Sequence, residues 1–190
     1  MARPLTPPDL EWLDAVFALA VSGHKRAPGV EAPKRLQPLF QQLAMARPPR
    51  PADDIEELIW AIWIGHREAR AAASMAVIAE TIARGDMDFA RPMLDDLIRD
   101  YPGWSEAWNK RATLHFIAAE DGAAITDIGE TLRLEPRHFG ALAGFGQICL
   151  RNDRPFEARA LFLTALRINP HLRGLAAVAQ DIRRAHRGLH

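Results

Sequence analysis

An all-α protein built from about three consecutive helical hairpins is the fold class this sequence predicts, and three observations carry the prediction. Pro102, Pro136 and Pro170 stand 34 residues apart, each closing a run of apolar residues. The same shift of 34 brings Ala90 onto Ala124 and Ala158, Leu94 onto Ile128 and Phe162, and Arg99 onto Arg133 and Arg167. Polar breaks fall near the middle of each unit: Arg84-Gly85-Asp86, Glu120-Asp121-Gly122 and Asn152-Asp153-Arg154-Pro155. There Gly supplies positive φ, and Asn or Asp supplies local backbone hydrogen bonds. A hairpin of this length cannot bury its apolar face alone, so neighbouring units must stack and leave a concave surface.

Ahead of the repeats, Asp9 is placed to cap a helix in which Leu10, Leu13, Val16, Phe17, Ala20 and Val21 recur at three- and four-residue steps, with Gly23 to end it. Residues 24–33 are polar and turn-rich and read as a linker. Leu36, Leu39, Phe40 and Leu43 form a second apolar stripe, stopped by Arg47-Pro48-Pro49-Arg50-Pro51. Asp53 and Glu56 have the spacing of a capping box at the start of a third helix. Its apolar side holds Ile55, Leu58, Ile59, Ile62 and Trp63, widened by Trp60. So much hydrophobic area must dock, and the first hairpin is the expected receiver. Residues 1–52 are therefore expected to form an N-terminal helical extension with a Pro-rich linker, and 53–190 a helical repeat domain.

The hairpins are expected at 71–102, 105–136 and 139–170, followed by a capping helix over 171–186, where Leu172, Leu175, Val178, Ala179 and Ile182 share a face. Leu142, Phe145, Gly146, Ala158, Phe162, Ala165 and Pro170, with Trp108, Ala112, Ala124, Ile128 and Pro136 in the preceding unit, resemble the tetratricopeptide repeat family. Ala90, Leu94, Leu97 and Pro102 carry the weakest unit, in which Ser74 replaces the large first residue. The resemblance covers roughly half of the chain and implies a right-handed α-solenoid of the kind found in small bacterial repeat proteins. It also implies a noncatalytic scaffold or adaptor that holds a protein or peptide in its concave face. A structural module that self-associates through the ends of the array, or through the Trp60 and Trp63 helix, is the alternative.

Composition narrows the function classes. The 24 basic and 24 acidic side chains cancel, which disfavours nucleic acid as a partner. Asp86, Asp88, Asp95, Asp96 and Asp100 nevertheless crowd one hairpin, while Arg154, Arg159, Arg167, Arg173, Arg183, Arg184 and Arg187 lie near the C-terminus, an asymmetry that would suit head-to-tail association. No apolar run approaches the roughly 18 residues that cross a bilayer, so membrane insertion is not expected. Residues 13–22 read as an amphipathic helix rather than a secretory leader, which makes the cytoplasm the expected location and export to the periplasm the alternative. Cys149, the one cysteine, falls in an apolar helical run and reads as a core side chain. Phosphate-loop, nucleophile-elbow and zinc-spacing motifs are missing from the sequence, and no catalytic residue, metal or cofactor is expected. His186 and His190, four apart, lack a third ligand nearby.

The concave surface should be lined by the first helix of each hairpin. Asn109, Lys110, Thr113 and Phe116 of the central unit, with Gln147 and Arg151 of the next, are the expected protein-binding residues. Asn109 and Gln147 suit a peptide backbone, Lys110 and Arg151 carboxylates, and Phe116 an apolar side chain. Some proteins of this fold hold a terminal carboxylate by polar side chains on three successive first helices. Here Met75, Ala79, Gly140 and Gly144 stand at those positions and do not support such a clamp. Met75, Ala79 and Ile82 instead make an apolar start to the groove. Arg111 and His115 replace residues that are usually apolar, and Asp127 or Glu130 is the expected partner of Arg111.

Overall fold

The computed structural model describes residues 5–23, 28, 33–45, 47 and 50–187, which form ten helices and no strand. Most of the expected linker at 24–33, together with Pro48, Pro49 and His190, lies outside the described residues. Three helices precede the repeats: α1 (Pro7–Ser22), α2 (Leu36–Leu43) and α3 (Ala52–Ile64). The hairpins are α4 (Ala69–Ala83) with α5 (Met87–Asp100), α6 (Ser105–Ile117) with α7 (Asp121–Leu134), and α8 (Phe139–Arg151) with α9 (Pro155–Ile168). The closing helix α10 (Arg173–Arg187) packs on α9. Helix ends recur with the sequence period: α5, α7 and α9 begin at Met87, Asp121 and Pro155 and end at Asp100, Leu134 and Ile168.

Within each hairpin the small residues Ala90, Ala124 and Ala158 are fully buried, and Leu94, Ile128 and Phe162 fill the space beside them. The tightest approach is in the third unit, where a Cβ on Gly146 would come within 2.2 Å of the Phe162 ring. Backbone geometry repeats even where residue type does not. The left-handed turn residue is Gly85 (φ 86°), then Ala119 (φ 58°), then Asp153 (φ 55°), each 34 positions after the last. In the middle unit Gly122 therefore does not make the turn. It lies inside α7, where a Cβ would meet the Asp9 carboxylate at 2.6 Å.

The N-terminal extension docks elsewhere than the sequence implied. Instead of covering the first hairpin, α1 lies across α7 and α9, the second helices of the next two units. Leu13, Val16 and Ala20 are buried there, and Gly129 admits Val16 to within 3.1 Å of its would-be Cβ. α2 crosses the inter-repeat loops: Arg137 donates to Gln37 Oε1 at 2.7 Å and lies over Phe40, while His171 Nε2 lies 3.1 Å from the Leu43 carbonyl. α3 then reaches the starts of α6 and α8, so the extension clasps the second and third hairpins from outer layer to first helices. The reason is packing. Met75, expected in an apolar groove, is fully buried within its own hairpin, and the glycines that permit close approach lie in the later units.

Two caps also differ. Thr6, rather than Asp9, starts α1, and Asp9 reaches back to accept from the Thr6 backbone N–H at 2.8 Å and from its hydroxyl at 2.6 Å. At α3 the N-cap is Pro51 with no side-chain cap, and Glu56 instead accepts from Asn169 Nδ2 at 2.8 Å and Trp60 Nε1 at 3.3 Å. A carboxylate suited to closing its own helix is used to attach that helix to the loop before α10.

Two substitutions test this account by chemical unfolding. Gly146→Ala should destabilise the protein by about 1–3 kcal/mol through overpacking against Phe162. Gly85→Ala, whose Cβ would meet nothing, should cost about 1–2 kcal/mol from backbone conformation alone. An unchanged midpoint in both would reject the tight hairpin packing and the left-handed turn described above.

Candidate functional site

The first helices present corresponding stripes to the inner curve. On α6 the stripe is Glu106, Asn109, Lys110, Thr113 and Ile117; on α8 it is Gly140, Ala143, Gly144, Gln147 and Arg151. These positions recur at three- and four-residue steps and hence share one helix face. The two stripes have opposite characters.

The α6 stripe begins with a carboxylate cut off from water. Glu106 has no exposed surface, and Asn109 Nδ2 donates to its Oε2 at 3.0 Å. His138, equally buried, donates to the same oxygen from Nε2 at 3.0 Å. The Ala141 backbone N–H donates to His138 Nδ1 at 3.1 Å, so that nitrogen is unprotonated and the ring hydrogen sits on Nε2. His138 thus caps α8 and binds α6 with one ring. Lys110 Nζ lies 3.3 Å from Glu106 Oε1, an ion pair without hydrogen-bond geometry. Trp63 closes the centre from above, stacked on the His138 ring with centroids 4.0 Å apart, and Trp60 and Phe139 meet edge to face beside it. Burial opposes ionisation of Glu106, but the hydrogen bonds from His138 and Asn109 and the charge of Lys110 outweigh it and hold its carboxyl below the usual range.

The predicted binding residues divide accordingly. Asn109 is buried against Glu106, the Lys110 ammonium pairs with Glu106 by charge alone and keeps its hydrogens for other acceptors, and the Thr113 hydroxyl donates to the Asn109 carbonyl at 3.0 Å. Arg151 lies over the Phe116 ring at 4.0 Å, donates to the Phe116 carbonyl at 3.0 Å, and forms an ion pair with the buried carboxylate of Asp121. Gln147 is exposed and free of hydrogen bonds among the described residues. Beside it Ile117 is 55% exposed, and a Cβ on Gly144 would touch nothing.

At the other end of the α8 stripe a groove of about 420 Å³ opens between α3, α8 and α10. Its walls are Trp60, Phe139, Gly140 and Ala143 on one side and Leu172, Gly174 and Leu175 on the other, with Glu56 and Arg173 at its edges. Gly140 accommodates Trp60, since a Cβ there would come within 2.6 Å of the indole. Gly174 leaves the opposite wall low. Sequence reasoning did not place this groove, because it depends on where α3 docks; the glycines at 140 and 144 were its only trace.

The unusual pair on α6 is structural in its contacts. Arg111 makes two parallel hydrogen bonds to Asp127, both 2.8 Å, and a third to Asp95 at 2.7 Å. Asp127 is thus the partner, while Glu130 is held by Arg133. His115 Nδ1 lies 2.6 Å from Glu120, which Arg91 also engages at 2.6 Å. The hydrogen bonds from Arg91 and His115 hold the Glu120 carboxyl below the usual range. This polar seam joins α5, α6 and α7. The crowded acidic residues find partners within the chain as well: Asp95 with Arg111, and Asp96 and Asp100 with Arg99.

Cys149 is fully buried, and burial pushes its thiol up to about 12, which leaves no thiolate at neutral pH. No group of three His, Cys, Asp or Glu side chains among the described residues is arranged to hold a metal ion. Nor is any helix among them long and apolar enough to cross a membrane.

Glu106 sets a pH dependence whose sign is fixed. Its folded-state carboxyl binds a proton less readily than the unfolded chain does, so its stabilisation is complete above about pH 4.5 and is lost as pH falls through the depressed folded value. Glu106→Gln should therefore lower Tm at neutral pH and flatten the loss of Tm between about pH 5 and about pH 3. Parallel wild-type and variant Tm curves over that range would show that Glu106 does not titrate in this way.

No protein-family model matches the chain. The TPR repeat-containing protein of Rhizobium etli is 36% identical to it over 115 residues, which is 60% of this chain and 56% of the relative. The chain thus spans about half the length of that relative. The described residues form an all-α array of helical hairpins whose ends recur every 34 residues, and over those 115 residues the chain is similar to that TPR repeat-containing protein.

Proposed function

We propose that the chain is a noncatalytic scaffold that holds a segment of a protein partner along the α8 stripe. The observation that carries this reading is the open track running from the groove beside Trp60 over Ala143 and Gly144 to Gln147. Its apolar walls would take one or two hydrophobic side chains of the segment, and the Gln147 amide would pair with its backbone. Thr113, Phe116 and Ile117 would form the facing side, and Lys110 with its spare donors would receive a carboxylate. In this reading Asn109 and Arg151 act mainly by holding Glu106 and Phe116 in place.

Self-association through the free end of the array is a second reading, favoured by one observation. The first hairpin exposes Val77 at 48% and Phe89 at 73%, while Trp60 and Trp63 are used inside the chain. Selection of peptides against the full chain, together with light scattering, separates the two. Peptide capture should fall at least tenfold in Gly144→Arg with Tm unchanged, in a protein that stays monomeric. Capture indifferent to that substitution would sink the α8 assignment. A dimer dissolved by Val77→Ser with Phe89→Ser would favour self-association.

A further inference from the structure

One interface is used three times in the stack: a second helix lies over the first helix of the unit that follows, α5 on α6, α7 on α8 and α9 on α10. On α6 the receiving positions are Ala107, Arg111 and Leu114. Ala107 and Leu114 join the apolar cluster of the first hairpin, and Arg111 between them pairs with Asp95 of α5. One period later Ala141, Phe145 and Ile148 of α8 are at most 1% exposed. One period earlier the same three positions on α4 are Ala73, Val77 and Glu80, and all three are exposed, Val77 by 48%. The helix that stands one period before α5 in the sequence is α3, and it is held over α6 and α8 instead. The receiving face of α4 is thus built like the others and left uncovered.

The α5–α6 interface supplies the register and hence the chemistry of what fits. There Arg91 of the covering helix reaches Glu120 at 2.6 Å, and Asp95, four residues on, reaches Arg111 at 2.7 Å. On the first hairpin Glu120 becomes Asp86 and Arg111 becomes Val77. The acid is kept, and the base is replaced by an aliphatic side chain. Asp86 and Glu80 share one guanidinium, that of Arg84, at 3.7 and 3.1 Å, so this end of the face carries a net negative charge.

A second copy offers no such helix. α10 begins 34 residues after α8 and stands in register with α4, α6 and α8, so the far end of the array presents a first helix. The second helices α5, α7 and α9 are packed within their own units.

We propose that the α4 face docks an amphipathic helix of a partner protein that carries Lys or Arg at one position and Leu or Ile four residues later. The cation meets Asp86 and Glu80, and the aliphatic side chain lies on Val77 beside Ala73. The surface shares no residue with the α8 track.

Helix α9 has this pattern in Arg159 and Leu163, two periods after Arg91 and Asp95, which makes its sequence a defined probe. A synthetic peptide of residues 155–168, held helical by a hydrocarbon bridge because so short a helix is marginal alone, is titrated into the full chain by calorimetry. It should bind at least tenfold more tightly than the same peptide with Arg159→Glu. Asp86→Arg in the chain should reverse that preference, and Ala73→Arg, on an exposed residue, should abolish binding of both peptides with circular dichroism and Tm unchanged. Gly144→Arg should leave the binding as it is. No binding, equal binding of the two peptides, a preference unmoved by Asp86→Arg, binding undiminished in Ala73→Arg, or binding lost in Gly144→Arg would each overturn the proposal. So would a dimer, seen by light scattering without peptide and dissolved by Ala73→Arg, since a second copy would then be the occupant.

Discussion

A carboxylate with no access to water, that of Glu106, sits where the second hairpin, the third hairpin and the N-terminal extension meet. Burying that charge requires partners, and they come from three directions: Asn109 donates to Oε2 from its own helix and His138 from the next unit, Lys110 supplies an opposite charge beside Oε1, and the Trp63 ring closes the centre. Removing His138 or Lys110 would take away a hydrogen bond or the opposite charge and leave the buried carboxylate less compensated. The interaction thus ties the position of α3 to the spacing of α6 and α8, and the groove beside α3 inherits its Trp60 wall from it.

The rest of the extension follows from that anchor. Once α3 is held over the starts of the first helices, α2 falls across the inter-repeat loops, where Arg137 and His171 meet it. α1 is carried round to the second helices, onto the smooth surface left by Gly122 and Gly129. The first hairpin meets the extension only near its exit, where Trp104 of its apolar cluster donates to the Trp63 carbonyl. Its apolar core forms a separate cluster in which Ala71, Met75, Ile78, Ala90 and Leu94 pack with Ala107 and Leu114 of α6, and the Arg111–Asp95 and Arg91–Glu120 ion pairs join the two units beside it. Val77 and Phe89 stay exposed on it.

The hairpins were legible because their information is local and repeated. Ala90, Ala124 and Ala158 announce close helix contact three times, and the prolines mark each exit. Even so, the middle turn was misplaced by reading Gly122 as its source, since Ala119 adopts the left-handed backbone that the repeat imposes. Of the expected binding residues, Gln147 and Thr113 are exposed as the helical period implies, whereas Asn109 is not. Its burial comes from Glu106 and the α3 lid, contacts across 30 or more positions of chain that no spacing rule contains.

By itself the sequence determined a helical repeat: its period, the helix faces that pack, and the absence of any motif for cofactor or phosphate chemistry. Those features depend on residues three, four and 34 apart, distances that periodicity reports directly. Only the tertiary structure decided that the extension clasps the second and third hairpins, that Asp127 receives Arg111, and which part of the inner curve stays open. Such choices are made by shape and by the need to satisfy buried charge, and a glycine in one unit acquires its meaning only from the tryptophan that arrives from another.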